Sequence, residues 1–307
     1  MIENIIIGLI ICLALVCPFL IIYYIKAAPS AKDDTMILKN IKEYTKERKD
    51  HLEELISVYM TKEQCLPPQL AIIQIGNNEA SNRYIRNKIK DCEEVSICAH
   101  NYVFDENISQ DDLIWEIQHL QEHYDGLIVQ LPLPDHIRAE KVAAAIDPVK
   151  DVDGFHPMSL YKPATPLGIM MYLKDCGFEF DGANVVIIGR SEIVGKPLAQ
   201  MMTDANATVT LCHSRTKNLW DHIQEADLVV SAVGKPKFLN CYAIHVPVID
   251  VGINFDEDGR LCGDCYNTEN RDVTPVPGGV GLLTRWALLE NAFSAKLTND
   301  IRKHAGL

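Results

Sequence analysis

The residues best suited to chemistry fall in three segments. Tyr84-Ile-Arg-Asn-Lys88 sets an aromatic ring and an amine four positions apart, which on a helix places both on one face. Gln130 is a polar side chain that ends the apolar run Gly126-Leu-Ile-Val129, and Lys150-Asp151-Val-Asp153-Gly154 offers two carboxylates beside a lysine. Aspartates in such a segment also form simple turns, so spacing alone leaves both readings open. The run Thr274-Pro-Val-Pro277-Gly278-Gly279-Val-Gly281 invites close backbone approach, but it lacks the Gly-Lys-Ser/Thr ending of a nucleotide P-loop.

A fourth segment points to a dinucleotide. Val185-Val-Ile-Ile-Gly189-Arg190-Ser191-Glu-Ile-Val194-Gly195-Lys-Pro197 reads as strand, glycine turn and helix. Such a turn aims backbone N–H groups and the positive helix end at a pyrophosphate. It departs from the usual G-x-G-x-x-G, because Ser191 stands at the second glycine and the third comes one residue late. The following strand ends in Cys212-His213-Ser214-Arg215-Thr216, without the Asp or Glu that holds a ribose 2′-hydroxyl in NAD-selective sites. A hydroxyl and arginines suit a 2′-phosphate, so NADP is expected over NAD, held by Arg190, Ser214 and Arg215. Short-chain dehydrogenases also use Tyr-x-x-x-Lys, but there the pair follows the glycine turn within one domain. Here it precedes the turn by roughly a hundred residues, so that chemistry does not fit.

These segments need a scaffold, and the hydropathy pattern supplies one. Ile37, Ile41, Tyr44, Leu52, Leu55 and Val58 recur at helical spacing, and Pro67-Pro68 ends the pattern. Short apolar runs at Leu70–Ile75, Ile97–Val103 and Gly126–Leu131 read as strands, with helices from about Ser81 and over Asp111–His123 between them. After Pro163–Pro166 the alternation restarts: a helix over Ile169–Cys176, strands at Asn184–Gly189, Ala207–Cys212, Leu228–Ala232 and Val248–Val251, and a helix from about Gly195. Continuous apolar strands alternating with helices predict parallel sheets wrapped by helices, in two α/β units divided near residue 158. At 307 residues the chain is long enough for both.

Bulk composition narrows the partners. A net charge of -13 argues against non-specific nucleic-acid binding, which needs a basic surface. Ten cysteines are spread along the chain, many inside apolar runs, as buried thiols rather than a disulfide framework. Cys262-Gly-Asp-Cys265 is a single CxxC without a second pair or histidines at ligand spacing, so no metal is expected. From Ile5 to Ile25 no residue is charged, giving roughly 21 positions, close to what a helix needs to cross a bilayer. Lys26, Lys32, Lys39 and Lys42 follow, which places the globular part on the cytoplasmic side if residues 5–25 form an anchor.

Several long motifs occur together and in order: Ala80-Ser81, Tyr84, Lys88-Ile-Lys90, the Gln130 segment, Lys150-Asp-Val-Asp153-Gly, Gly189-Arg-Ser, Val194-Gly195-Lys-Pro, Cys212-His-Ser, Val248-Ile-Asp-Val-Gly-Ile-Asn254 and Pro275-Val-Pro-Gly-Gly-Val-Gly281. Over roughly residues 37–300 the chain resembles the bifunctional methylenetetrahydrofolate dehydrogenase/methenyltetrahydrofolate cyclohydrolase family. The resemblance implies a Rossmann-like NADP-binding domain over 159–283 and a folate-binding catalytic α/β domain over 36–158 plus about 284–307. Residues 1–35 then form an apolar segment and linker. It also implies a homodimer working in one-carbon metabolism. The cofactor residues carried over are Gly189, Arg190, Ser191, Val194, Gly195, His213, Ser214, Arg215 and Ile253. The substrate residues are Tyr84, Lys88, Gln130, Leu131, Asp153, Pro277, Gly278 and Gly279. Three features depart from the family pattern. Its Pro-Cys-Thr-Pro reads Pro163-Ala164-Thr165-Pro166, its Gly-Pro-Met-Thr reads Gly281-Leu282-Leu283-Thr284, and its Asp-Gly-Lys strand motif has no clear counterpart.

The family's first reaction passes hydride from the carbon bridging N5 and N10 of tetrahydrofolate to NADP, a step without proton transfer, so positioning carries it. The second adds water to the resulting cation and opens the ring to 10-formyltetrahydrofolate, and water must lose a proton on the way. By the resemblance, Lys88 is the base, since burial and a cationic neighbour both favour a neutral amine. Gln130 orients Lys88 or the water, Tyr84 stacks along the folate, and Asp153 bonds the pterin. Two alternatives stay open on sequence: a dehydrogenase with little cyclohydrolase activity, should Ala164 or Leu282 reshape the pocket, and a non-catalytic, membrane-tethered folate or nucleotide binder.

Overall fold

The computed structural model describes residues 38–305 apart from Asn270, and residues 5–25 lie outside the described residues. Helix α1 (Ile41–Glu63) opens it, burying Ile41, Tyr44, Leu52 and Ile56. Val58, expected on that apolar face, is 60% exposed, and Ile56, two residues earlier, holds the buried place. The helix also stops before Pro67-Pro68, at Gln64, whose φ of 49° is left-handed.

Three strands and their helices follow: β1 (Gln69–Ile75), α2 (Glu79–Glu94), β2 (Cys98–Phe104), α3 (Gln110–Leu120), β3 (Gly126–Val129) and α4 (Ala139–Ala145). The second run comprises α5 (Ala164–Asp175), β4 (Asn184–Ile188), α6 (Gly195–Asp204), β5 (Thr208–Cys212), α7 (Leu219–Gln224), β6 (Leu228–Ser231), β7 (Leu239–Asn240), β8 (Val248–Asp250), β9 (Asn254–Phe255), β10 (Leu261–Cys262) and β11 (Cys265–Tyr266). Helix α8 (Val280–Ala305), which the periodicity reading does not include, ends the described chain. Among the described residues no helix is long and apolar enough to cross a membrane.

Two compact units result. One holds Leu55–Tyr161 and the chain from Leu289 on, and the other holds Lys162–Leu288 and the described residues up to Glu54. In the first, the parallel sheet runs β2-β1-β3, with Ile72 paired to Asn101 on one side and Ile128 on the other. The centre strand β1 is buried from Leu70 to Ile75, as its largely apolar run demands, with Gln74 bonded to Asn82, whereas β2 keeps its exposed side chains because it lies at the edge. Its core gathers Ala71, Ile73, Leu113, Ile117, Leu127 and Val142.

The second unit carries a four-stranded parallel sheet in the order β5-β4-β6-β8. Val185 and Ile187 of β4 face Leu198 and Met202 of α6, with Tyr44, Tyr172 and Trp286 in the same cluster. Tyr44 meets Trp286 edge-to-face at 5.5 Å between ring centroids, and the Arg48 guanidinium lies 5.2 Å from the Trp286 ring. Burial and the neighbouring Asp175 carboxylate hold the Tyr44 hydroxyl far above the ordinary phenol range, so it stays a donor to Asp175. Trp286 is 1% exposed. Trp286→Ala is therefore expected to cost this unit about 3–5 kcal/mol of unfolding free energy, read from urea denaturation, because the cavity cannot collapse around so large a loss.

Candidate active site and cofactor cradle

The first unit brings Tyr84, Lys88, Gln130 and Asp153 together. Helix α2 starts at Asn78, whose Oδ1 accepts the Ser81 N–H at 3.1 Å, and this start sets the rotation of the helix. One turn separates Tyr84 from Lys88, and the Lys88 amine lies 5.1 Å from the Tyr84 ring centroid. Lys88 is only 3% exposed. Its Nζ donates to Gln130 Oε1 at 3.2 Å and lies 3.6 Å from Asp153 Oδ2, while Asp153 keeps a third of its side-chain surface open. A buried amine with an amide oxygen, a carboxylate and an aromatic face around it is held in one place rather than left to sample rotamers.

Each partner has its own support. Gln130 directly follows β3; its backbone N–H bonds Ile73 O at 2.8 Å and its Nε2 donates to Leu131 O at 2.8 Å, so the Oε1 is left to face Lys88. Asp153 rides on a turn pinned by Asp151, which is buried and accepts the His156 N–H at 2.6 Å. Burial pushes the Asp151 carboxyl up, against the pull of the His156 and Phe155 N–H groups. Asn291 of α8 adds a bond from its Nδ2 to Val152 O at 2.8 Å, a contribution that sequence spacing gave no means to find. Lys150, in the same motif, points elsewhere: its Nζ donates to Tyr124 O at 2.6 Å, and burial pulls its ammonium down.

The glycine turn of the second unit is built by close packing. Gly189 has φ +121°, and a Cβ there would sit 2.2 Å from Ala232 O; a Cβ on Gly195 would sit 2.0 Å from Gly189 O. Only hydrogen fits at either position, so the backbone at the end of β4 can run directly beneath a ligand. Ser191 Oγ accepts the Val194 and Gly195 N–H groups at 3.2 and 3.3 Å, capping the entry to α6. Arg190 is exposed beside this turn. Because Ile188 pairs with Cys212, the exposed Ser214 and Arg215 follow the end of the neighbouring strand. His213 shapes that turn, donating its N–H to Thr216 Oγ1 at 2.8 Å and accepting the Arg215 N–H on Nδ1 at 3.1 Å. Ile253, after β8, is 60% exposed.

Pro277, Gly278 and Gly279 belong to the second unit, just ahead of α8, and a Cβ on Gly279 would meet Pro275 O at 2.1 Å. Ala164 is buried at the start of α5, and Leu282 packs on the core of the second unit. Cys262 and Cys265 are free thiols. One set of potential ligand atoms escaped the sequence reading, which sought histidines only as partners to the CxxC: ligand atoms of His119, Glu122 and His123 lie within 4.8 Å of one another, all exposed, at and just past the end of α3.

Comparison with known proteins finds a match for each of two domains. Residues 35–153 match the catalytic domain of tetrahydrofolate dehydrogenase/cyclohydrolase, and residues 163–300 match its NAD(P)-binding domain. Bifunctional protein FolD of Acetivibrio thermocellus is 43% identical over 273 residues, covering 83% of this chain and 95% of that protein. The crystal structure of FolD methylenetetrahydrofolate dehydrogenase/cyclohydrolase from Campylobacter jejuni superimposes with a TM-score of 0.79 at 40% identity, covering 84% of this chain and 98% of its own. The Trypanosoma brucei enzyme, complexed with NADP cofactor and an inhibitor, gives 0.81 at 30% identity, with 86% and 98% covered. By these matches the chain belongs to the tetrahydrofolate dehydrogenase/cyclohydrolase family.

Proposed function

We propose that the chain oxidises 5,10-methylenetetrahydrofolate to 5,10-methenyltetrahydrofolate with NADP and hydrolyses the product to 10-formyltetrahydrofolate. The observation that carries the reading is the buried Lys88 amine, held at once by Gln130 and Asp153. Residues 36–158 plus about 284–307 are assigned to folate and 159–283 to NADP; the family domains matched, 35–153 and 163–300, divide the chain near the same point but carry residues 284–300 with the NAD(P)-binding part.

NADP fits the second unit because the cradle at Gly189 and Gly195 has no space for a Cβ, and because exposed arginines and a serine follow the adjoining strand ends. Bound there, NADP supplies the hydride acceptor. Backbone N–H groups at the Gly189 turn and the α6 start would hold the pyrophosphate, with Val194 and Gly195 at the first turn. Arg190, Ser214 and Arg215 would take the 2′-phosphate, His213 would fix their turn, and Ile253 would cover the ring.

In the first unit, Tyr84 offers a face for the folate and Asp153 an acceptor for pterin N–H groups. Oxidation asks nothing of these groups but alignment. Hydrolysis asks more. A water adding to the cationic methenyl carbon must give up a proton, and Lys88 Nζ is the group that receives it. Gln130 holds the amine in line throughout, and Leu131, Pro277, Gly278 and Gly279 keep the substrate role implied by the resemblance.

The N-terminal run at 5–25 adds a second claim, that a membrane anchor holds the enzyme on the cytoplasmic side. A homodimer is the assembly implied by the resemblance. One experiment addresses activity and anchor together: NADP-dependent turnover of methylenetetrahydrofolate, with methenyl absorbance followed over time, on membrane and soluble fractions of cells making the full chain. Transient methenyl signal in the membrane fraction, retained after carbonate washing, is the expected result. A persistent methenyl signal would show a dehydrogenase without the second step, and carbonate release of the intact chain would remove the anchor.

A further inference from the structure

The loops after β6 and β8 are tied to one buried carboxylate, and this tie lies outside the glycine turn. Asp264 is fully buried, yet it carries five donors. Its Oδ2 accepts Ser231 Oγ at 3.0 Å, Val233 N–H at 2.7 Å and Gly234 N–H at 3.2 Å. Its Oδ1 accepts Lys235 N–H at 2.9 Å and Asn254 Nδ2 at 3.0 Å. Successive backbone N–H groups converging on an anion form the kind of nest that elsewhere binds phosphate. Here the protein's own carboxylate fills it.

A second buried carboxylate sets the first. Asp250, the last residue of β8, accepts Gly252 N–H at 2.9 Å and Asp264 N–H at 3.0 Å on Oδ1, and Cys265 N–H at 2.9 Å on Oδ2. The clasp leaves no slack: a Cβ on Gly252 would lie 2.3 Å from Asp264 Oδ1, and one on Gly263 would lie 2.0 Å from Asp250 Oδ2. What the clasp holds is open to solvent. Gly234 and Lys235 are exposed, as is Ile253, which lies between the two clasped residues Gly252 and Asn254.

Position in the sheet gives these loops a ligand. The strand order is β5-β4-β6-β8, and ligands of open parallel sheets lie across the carboxyl ends of the strands. If the 2′-phosphate is read beyond β5 and the pyrophosphate beyond β4, the rest of the dinucleotide runs over β6 and β8. Gly189 already packs on Ala232 O, so the glycine turn and the β6 loop share one surface. We infer that Asp264 is a positioning residue for the cofactor, fixing the β6 and β8 loops as the platform under its nicotinamide half. This inference rests on the NADP reading above.

The test uses the full-length enzyme and its second activity as an internal control, because methenyl hydrolysis consumes no NADP. Asp264→Asn replaces an acceptor oxygen with an amide that faces N–H donors, and a lost charged bond set of this kind should raise KM for NADP about tenfold or more. Cyclohydrolase turnover and KM for the folate should stay within about twofold of wild type, since neither depends on these bonds. Ser231→Ala and Asn254→Ala each remove one donor and should raise KM for NADP about threefold; they decide the matter if Asp264→Asn does not fold. Unchanged KM for NADP in soluble variants would overturn the inference. So would loss of both activities in parallel, which marks a folding residue and nothing more. A wild-type chain that turned over methylenetetrahydrofolate with neither dinucleotide would sink the NADP reading and the inference with it.

Discussion

Lys88→Met is expected to lower methenyltetrahydrofolate hydrolysis by about a thousandfold, within the range that a positioned general base supplies. Methionine keeps most of the stem beside Tyr84 but removes the amine proposed to accept a proton from water. The dehydrogenase step should survive within about tenfold, because hydride transfer draws on alignment and not on proton movement. The variant would thus convert methylene to methenyl and stop, and the methenyl band would accumulate where wild type shows only a transient. Some stability should be lost too, on the order of 1–3 kcal/mol, since Gln130 Oε1 and Asp153 Oδ2 lose their buried partner. Folate binding measured by fluorescence should remain, as Tyr84 and Asp153 are still present. Hydrolysis at the wild-type rate would eliminate Lys88 as the base.

The second large effect concerns cofactor choice. Arg190→Ala should reduce kcat/KM with NADP by roughly 10- to 100-fold while leaving the value with NAD nearly unchanged, the cost of one or two charge-assisted bonds to a phosphate. The asymmetry is the diagnostic. A residue that merely supported the Gly189 turn would penalise both dinucleotides alike, because both carry the pyrophosphate. Ser214 and Arg215 limit the loss, since their turn is held independently by His213 and Thr216. Equal efficiency with NAD and NADP in the wild-type enzyme would refute the assignment before any variant was made.

Much of the scaffold was legible because burial leaves a strong mark on strands. Leu70–Ile73 and Val185–Ile188 are apolar without interruption, and each lies in a centre strand covered on both faces. Edges and ends were less legible. The expected strand over 126–131 stops at Val129; the Gln130 N–H still bonds Ile73 O, but Pro132 soon follows and has no N–H with which to extend the ladder. Val58, taken into the apolar period of α1, lies exposed because Ile56 carries the buried face and a residue two positions on points about 200° away from it. The Lys88 quartet could be named from sequence only because several motifs occurred together; nothing in spacing alone joins position 88 to 130 and 153. The Asp264 clasp left no readable trace at all. A Gly-Asp-Cys triplet in a loop looks like an ordinary turn, and its meaning appears only when β6 and β8 are laid side by side.

The start of the described chain has a mechanical implication. Leu38 N–H bonds the Asp272 carboxylate at 3.2 and 3.3 Å, Lys39 Nζ reaches Asp175 O, and Tyr172 Oη donates to Lys39 O at 2.6 Å. These contacts form a mooring: tension arriving from upstream is borne by the body of the second unit instead of peeling α1 from its first turn.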